Sequence, residues 1–273
     1  MAISDISLTA GMRSNLLQLQ NTSKNIDRTQ ERLSTGKQVN SALDNPTNFF
    51  ASQAALNRAN DFSSRKDGMG EAIQNVKAAD AGITAITALV TAAKGLAEAA
   101  LGTTSTTDRS NFAAQYDTLQ IQITQLSADS GYRGTNLLAD TDNTLTVNFN
   151  EDATSKIVVT GFDATATGLS LAGASGSWAT VTDITDDQDL MDGAITQLRN
   201  QSKSLAGNLN IITTRQNFTD QMINTLQTGS DNLTLADMNN EGANMLMLQT
   251  RQSLGTTALS MSSQAAQSVL RLF

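Results

Sequence analysis

The chain has 273 residues, a formal charge of −8 and a pI of about 4.5, with hydrophobic residues at 39% and aromatic residues at only 4%. Cysteine and histidine are both absent. That excludes disulfides, thiolate and imidazole metal sites, the Ser-His-Asp triad and the usual general base near neutral pH, and no catalytic, cofactor or metal site is expected. The acidic balance disfavours phosphate backbones and anionic lipid, so neither nucleic acid nor a membrane is expected as a partner.

Met1 to Gln20 holds neither a basic leader nor a continuous apolar segment, and no later stretch reads as a bilayer span. An exported form is therefore expected to leave the cell without a cleaved leader. Apolar residues recur at alternating three- and four-residue spacings in five segments, the seam pattern of coiled coils. The first segment carries Met12, Leu16, Leu19, Ile26 and Leu33, with Ser23 and Gln30 at two seam positions. A stripe this narrow is a thin core.

Asn45 and Pro46 read as an N-cap and a first helical residue. They open a second seam of Ala72, Val76, Ala79, Ile83, Ile86, Val90, Ala93, Ala97 and Ala100, whose alanines let another helix approach closely. The run from Gly102 to Thr107 has loop composition, and Thr103, Thr104 and Ser105 read there as solvated hydroxyls or as acceptors of O-linked sugar. Asp108 is the expected cap of a third seam formed by Phe112, Tyr116, Leu119, Ile123 and Leu126.

Between Gly131 and Val181 the helical period stops. Leu145, Val147 and Phe149 alternate with threonine and asparagine, and Lys156 to Thr160 is a second β-prone run, so a hairpin is expected. Thr185 and Gln188 fit a capping box ahead of a fourth seam, Met191, Ile195, Leu198, Leu205, Leu209, Ile212, Ile223 and Leu226, broken by Ser202, Gln216 and Thr219. Thr228 to Asp231, with Gly229, is expected to end it. A fifth stripe follows: Met247, Leu254, Ala258, Met261, Ala265, Val269 and Leu272. The polar seam positions read either as water-facing or as setting register between helices.

The expected fold is mainly α: long antiparallel helices in a coiled-coil-like rod with both termini at one end, plus a small central β-hairpin region. Pairing the first segment with the last and the second with the fourth gives that arrangement.

Two separate motifs carry a family resemblance. Arg32-Leu33-Ser34-Thr35-Gly36 followed by Val39-Asn40-Ser41-Ala42-Leu43-Asp44 resembles the N-terminal flagellin pattern, with Ser7-Leu8-Thr9-Ala10 and Asn15-Leu16 upstream. Leu235-Ala236-Asp237-Met238 with Glu241, and the closing Gln264 to Phe273, resemble its C-terminal pattern, and Gln249, Gln252 and Gly255 fall in register. The resemblance covers roughly residues 1 to 130 and 183 to 273, and implies a short form without large outer domains. It departs from the family at Thr91 to Leu96, where the receptor-binding element keeps only Lys94 and Leu96.

The resemblance implies a structural subunit, not an enzyme, that polymerises into the extracellular flagellar filament for motility. A hook-filament junction protein of the same architecture is the alternative. Implied partners are further copies of the chain, the flagellar type III export apparatus, an export chaperone, and the filament cap and hook-junction proteins. Residues 1–40 with 234–273 are expected to form an inner-tube domain and 41–130 with 183–233 a helical shell, from which 131–182 emerges as the β excursion. Assembly contacts are expected at Leu8, Leu16, Leu19, Ile26, Arg32, Leu33, Asn40, Asp44, Asp237, Met247, Leu254, Met261, Gln264, Val269 and Leu270. Arg32 is expected to bond to another copy. Because the end stripes are thin, both ends are expected to be marginal in a monomer and to fold as copies pack.

Overall fold

A computed structural model describes residues 10–270. In chain order run α1 (Ala10–Thr35), α2 (Pro46–Leu101), α3 (Thr106–Asp129), β1 (Thr144–Asn148), β2 (Lys156–Thr160), a 3-10 turn (Ser175–Trp178), α4 (Val181–Thr234) and α5 (Met238–Leu270). The chain divides into two compact units, one of Met1–Asn57 with Thr225–Phe273 and one of Arg58–Asn224, and α2 and α4 each contribute to both. The expected mainly helical class with a small antiparallel hairpin is what forms.

In the unit of Arg58–Asn224, α2 and α4 run antiparallel. Three links fix their register: Lys66 Nζ to Asp220 at 2.8 Å, Ser202 Oγ donating to Asp80 Oδ1 at 2.7 Å, and Lys94 Nζ to Asp192 at 2.6 Å. The α2 seam from Ala72 through Val76, Ile83, Ile86 and Val90 to Ala100 is buried along its length against Met191, Leu198, Leu205 and Ile212 of α4 and Tyr116 and Ile123 of α3. Burying each of the larger side chains contributes about 1.5–3 kcal/mol, so this unbroken seam is the main source of cohesion. The polar seam positions divide: Ser202 and Thr219 turn inward, while Ser23 and Gln30 are exposed.

One expectation fails on this helix. α2 does contain a window long and apolar enough to cross a bilayer, with mean hydropathy 1.3. The sequence count missed it because the apolarity is spread over alanines, and the face carrying Ile83, Ile86, Val90, Ala93, Ala97 and Ala100 is spent on the protein core.

Several boundaries also move. Ser105, not Asp108, caps α3: its Oγ accepts the Asp108 N–H. The box ahead of α4 is Thr180 with Asp183, each accepting the other's backbone N–H at 3.2 and 3.0 Å, while Thr185 lies inside the helix with its hydroxyl on the Thr182 carbonyl. Gly229 is absorbed within α4, and the chain breaks instead at residues 235–237. A single glycine weakens a long packed helix too little to end it.

The hairpin has the register Leu145 with Val159 and Val147 with Ile157, which turns Val147 and Val159 into the core. Its return to α4 passes through a clasp. Trp178, fully buried, stacks on Tyr116 with ring centroids 5.2 Å apart. Asp187, also buried, accepts from Trp178 Nε1 at 2.7 Å, Ser175 Oγ at 2.8 Å and Ser175 N–H at 3.0 Å. These bonds hold Gly176, Ser177 and Trp178 at φ values of 53°, 51° and 57°, a left-handed stretch that side chains resist. Burial pushes the Tyr116 phenol up to about 12. Nearby, buried Arg109 donates Nε to the carbonyls of Ala100 and Thr103, where the negative end of α2 favours a cation.

Asp187→Ala leaves three donors without their acceptor and is expected to cost about 3 kcal/mol. Because Trp178 is the only tryptophan, a urea titration followed by its fluorescence checks this directly: the midpoint falls and the native emission shifts to the red.

Candidate assembly site at the paired chain ends

In the other unit the two chain ends meet, α1 lying along α5. On α1 the inward positions are Met12, Leu19, Thr22, Ile26, Thr29 and Leu33, of which Met12, Thr22 and Thr29 are buried. Thr22 thus takes the place expected for Ser23, and Thr29 that for Gln30. The Thr22 hydroxyl returns to the Gln18 carbonyl at 2.9 Å, so it is satisfied inside its own helix.

On α5 the inward row is Glu241, Met245, Leu248, Gly255, Leu259, Ser262 and Ala266, with Glu241 and Leu248 buried and the others half-buried. This row has the same three-four spacing as the stripe of Met247, Leu254 and Met261 but is set on the next face. Small residues explain the choice. A Cβ added at Gly255 would stand 2.7 Å from Leu19 Cδ2, so the leucine rests on bare helix backbone there. Bulky Leu254 and Met261 are left 66% and 60% exposed, and Leu16, Leu17, Leu246 and Met247 are exposed with them.

At the inner end of the pair the two sequence motifs become one structure. Arg32 Nη1 bonds Glu241 Oε1 at 2.8 Å, with only a fifth of the arginine side chain and a tenth of the glutamate exposed. Within the single chain Arg32 thus bonds to the far end of its own sequence. Gly36, at φ +70°, lets α1 end with its N–H on the Arg32 carbonyl at 2.8 Å. The Gly36 carbonyl then accepts from Ala236 N–H at 2.9 Å, and the Thr234 carbonyl accepts from Gln38 and Val39 N–H.

The following turn is built around Asp44, whose Oδ2 accepts the N–H groups of Asn40 and Ser41 and the Ser41 hydroxyl, while Oδ1 meets Arg28 Nη2 at 3.5 Å. The Ser41 N–H foremost, with the other donors, holds this carboxyl below the usual carboxylate range. Asn45 Oδ1 caps α2 through the Asn48 N–H, and Asp237 Oδ1 caps α5 through the N–H groups of Asn239 and Asn240. Ser52 and Ser230 share a buried hydrogen bond of 2.9 Å. Nothing in this arrangement resembles a reaction centre; it joins and orients helices.

Residues 6–143 match the family described as the bacterial flagellin N-terminal helical region, and over the whole of both chains the sequence is 30% identical to flagellin FljO of Caulobacter vibrioides. The chain belongs to the flagellin family. It is also 28% identical to the flagellin of Brucella melitensis biotype 1, over 93% of this chain and 94% of that one. A crystal structure of Bacillus cereus flagellin aligns with 56% of this chain and 88% of its own at 18% identity, with a TM-score of 0.48. As a flagellin the protein is a structural, non-enzymatic subunit of the extracellular flagellar filament, and it polymerises with its own copies.

In this flagellin Arg32, Leu33, Asn40, Asp44 and Asp237 all fall in the junction between the chain ends, and Leu19 and Ile26 in the α1–α5 seam. Leu16, Met247, Leu254, Met261 and Gln264 lie on outer faces. Leu8 lies outside the described residues, as do the side chains of Val269 and Leu270. Thr22, Thr29 and Leu248 were hidden in the sequence because a neighbouring position completed the same spacing with an apolar or equally polar residue. Of the loop hydroxyls, Ser105 caps α3, Thr103 Oγ1 accepts the Ser105 N–H, and Thr104 is exposed.

The Arg32 and Glu241 pair is expected to be worth about 2 kcal/mol of coupling. A double-mutant cycle with Arg32→Gln and Glu241→Gln, read by the thermal stability of the α1–α5 pair, measures it. Coupling below a few tenths of a kcal/mol would mean that the two motifs meet without holding each other.

Proposed function

We propose that this flagellin grows its filament by covering the outer apolar stripes of α1 and α5 with the same helices of neighbouring copies. One observation carries the reading: the seam between the two end helices is thin, with Thr22, Thr29, Gly255, Ser262 and Ala266 among its facing positions, whereas six bulky residues, Leu16, Leu17, Leu246, Met247, Leu254 and Met261, face outward. Large side chains left in rows at helical spacing are suited to a partner helix. The contact is heterologous, so its repetition with a rise gives an open helix of copies.

The charge distribution supports the same division of labour. Residues 1–57 and 225–273 hold seven basic and seven acidic side chains, while 58–224 holds eleven and nineteen. Neutral ends pack at close quarters with little repulsion, and the acidic remainder is better placed in water. On this reading residues 1–40 with 234–273 form the inner tube, 41–130 with 183–233 the shell around it, and 131–182 a small excursion of that shell. The chain is exported unfolded through the flagellar type III apparatus, with a chaperone holding it beforehand, and meets the filament cap and hook-junction proteins as neighbours. The absence of cysteine suits threading, since no cross-link can form on the way. Thr104 is the proposed acceptor for any O-linked sugar.

Leu254→Asp and Met261→Asp test the central contact. Both side chains are exposed in the single chain, so circular dichroism and melting of the monomer should change little. Seeded elongation, followed by sedimentation and negative-stain microscopy, should fall at least tenfold. Filaments of normal length from either variant would remove these faces from the interface.

A further inference from the structure

We infer that Met247 and Met261 are modification sites that form an oxidation switch on assembly: conversion of their thioethers to sulfoxides by hydrogen peroxide withholds a copy from the filament, and methionine sulfoxide reductases return it. The inference rests on the self-assembly reading above and adds a chemical control over the same face of α5. Nothing else in the end helices competes for the oxidant. The chain has no cysteine and no histidine, and neither α1 nor α5 contains an aromatic residue, so thioether sulfur is the only readily oxidised group there.

Burial sorts the methionines. Met69 and Met191 are fully buried in the core of the other unit and Met12 is buried on α1, while Met222 on α4 and Met245 on α5 are half-buried. Met238, Met247 and Met261 are the exposed ones among the described residues, and all three belong to α5. Susceptibility follows exposure, so an oxidant meets the outer side of α5 first. Position then separates the three. Met247, Leu254 and Met261 recur at seven-residue intervals and form one stripe, in which Met247 is 45% and Met261 60% exposed. The two methionines stand at its two ends, about 21 Å apart along the helix. Met238, the first residue of α5, lies off this stripe, and seven residues on from it is Met245 of the inward row.

The chemistry is a two-electron oxygen transfer. The sulfur lone pair attacks one peroxide oxygen, an S–O bond forms as the O–O bond breaks, and the proton left on the transferred oxygen goes to the departing hydroxide, which leaves as water. A flexible apolar side chain becomes a polar one with an acceptor oxygen. In the single chain the stripe faces water and the new oxygen is hydrated, so the fold is undisturbed. In a polymer contact the same oxygen is enclosed, and the bulky residues of the outer faces, Leu16, Leu17, Leu246 and Leu254, have no hydrogen to donate to it. The penalty therefore falls on assembly alone. Contact between copies also covers the sulfurs, so a finished filament resists the oxidant that stops its growth. Reductases for the two sulfoxide epimers act on the exposed form and reverse the block.

The test starts from monomer treated with hydrogen peroxide until peptide mass spectrometry shows Met247 and Met261 converted. Circular dichroism and melting should be unchanged, while the critical concentration for elongation from untreated seeds should rise at least tenfold. The two reductases together should bring it back to within about threefold of the starting value. Each variant is then compared with its own untreated form. Met247→Leu with Met261→Leu should reduce the peroxide effect to less than about twofold, whereas Met238→Leu should leave it in full. An undiminished effect in the double variant, or a lost one in Met238→Leu, would overturn the inference. If converted wild type elongates normally while Leu254→Asp does not, the switch alone fails. If Leu254→Asp also elongates normally, it is the self-assembly contact that fails.

Discussion

Leu19 lies against bare backbone at Gly255, and this close approach governs how the two ends of the chain meet. Around this close approach the facing rows mix Thr22, Thr29, Gly255, Ser262 and Ala266 with larger apolar residues, of which only Met12 and Leu248 are buried. Six further bulky residues, Leu16, Leu17, Leu246, Met247, Leu254 and Met261, stand on outer faces. A pair joined by such a small seam gains little against the entropy of ordering two helices of 26 and 33 residues. Cohesion is concentrated at one point instead, where Arg32 reaches Glu241 and the backbone of residues 36–39 bonds to that of 234–236.

The unit of Arg58–Asn224 follows the opposite rule. Its α2 seam is apolar at every turn, α4 and α3 close over it, and buried polar groups such as Asp187 and Arg109 are fully engaged. It holds its own core without help from other copies. A flagellin so divided keeps one self-sufficient body and one pair of ends that profits from company, which suits a subunit that polymerises with its own copies.

Much of this was legible in the residues. The unbroken seam of Ala72 to Ala100 specified both helix and buried face, since three-four spacing with no interruption admits one inward stripe. Asn45-Pro46 fixed the start of α2 by local chemistry alone. The α5 seam was not legible in the same way: Met247, Leu254 and Met261 are the larger residues, and size points to them as the buried row. Only the neighbouring helix, with Leu19 needing a gap, selects the Gly255 row. The Trp178 clasp was equally hidden, because a left-handed stretch stabilised by a carboxylate nine residues later leaves no periodic signal. The link between Arg32 and Glu241 spans 209 residues, and spacing carries no information at that distance.

The central claim is that the chain ends gain most of their stability from other copies, and amide hydrogen exchange on monomer and filament tests it most directly. Amides of α1 and α5 should exchange at least a hundredfold faster in the monomer than in the filament, while those of the α2 seam between Ala72 and Ala100 should be protected alike in both. Equal and strong protection of α1 and α5 in the monomer would contradict the account.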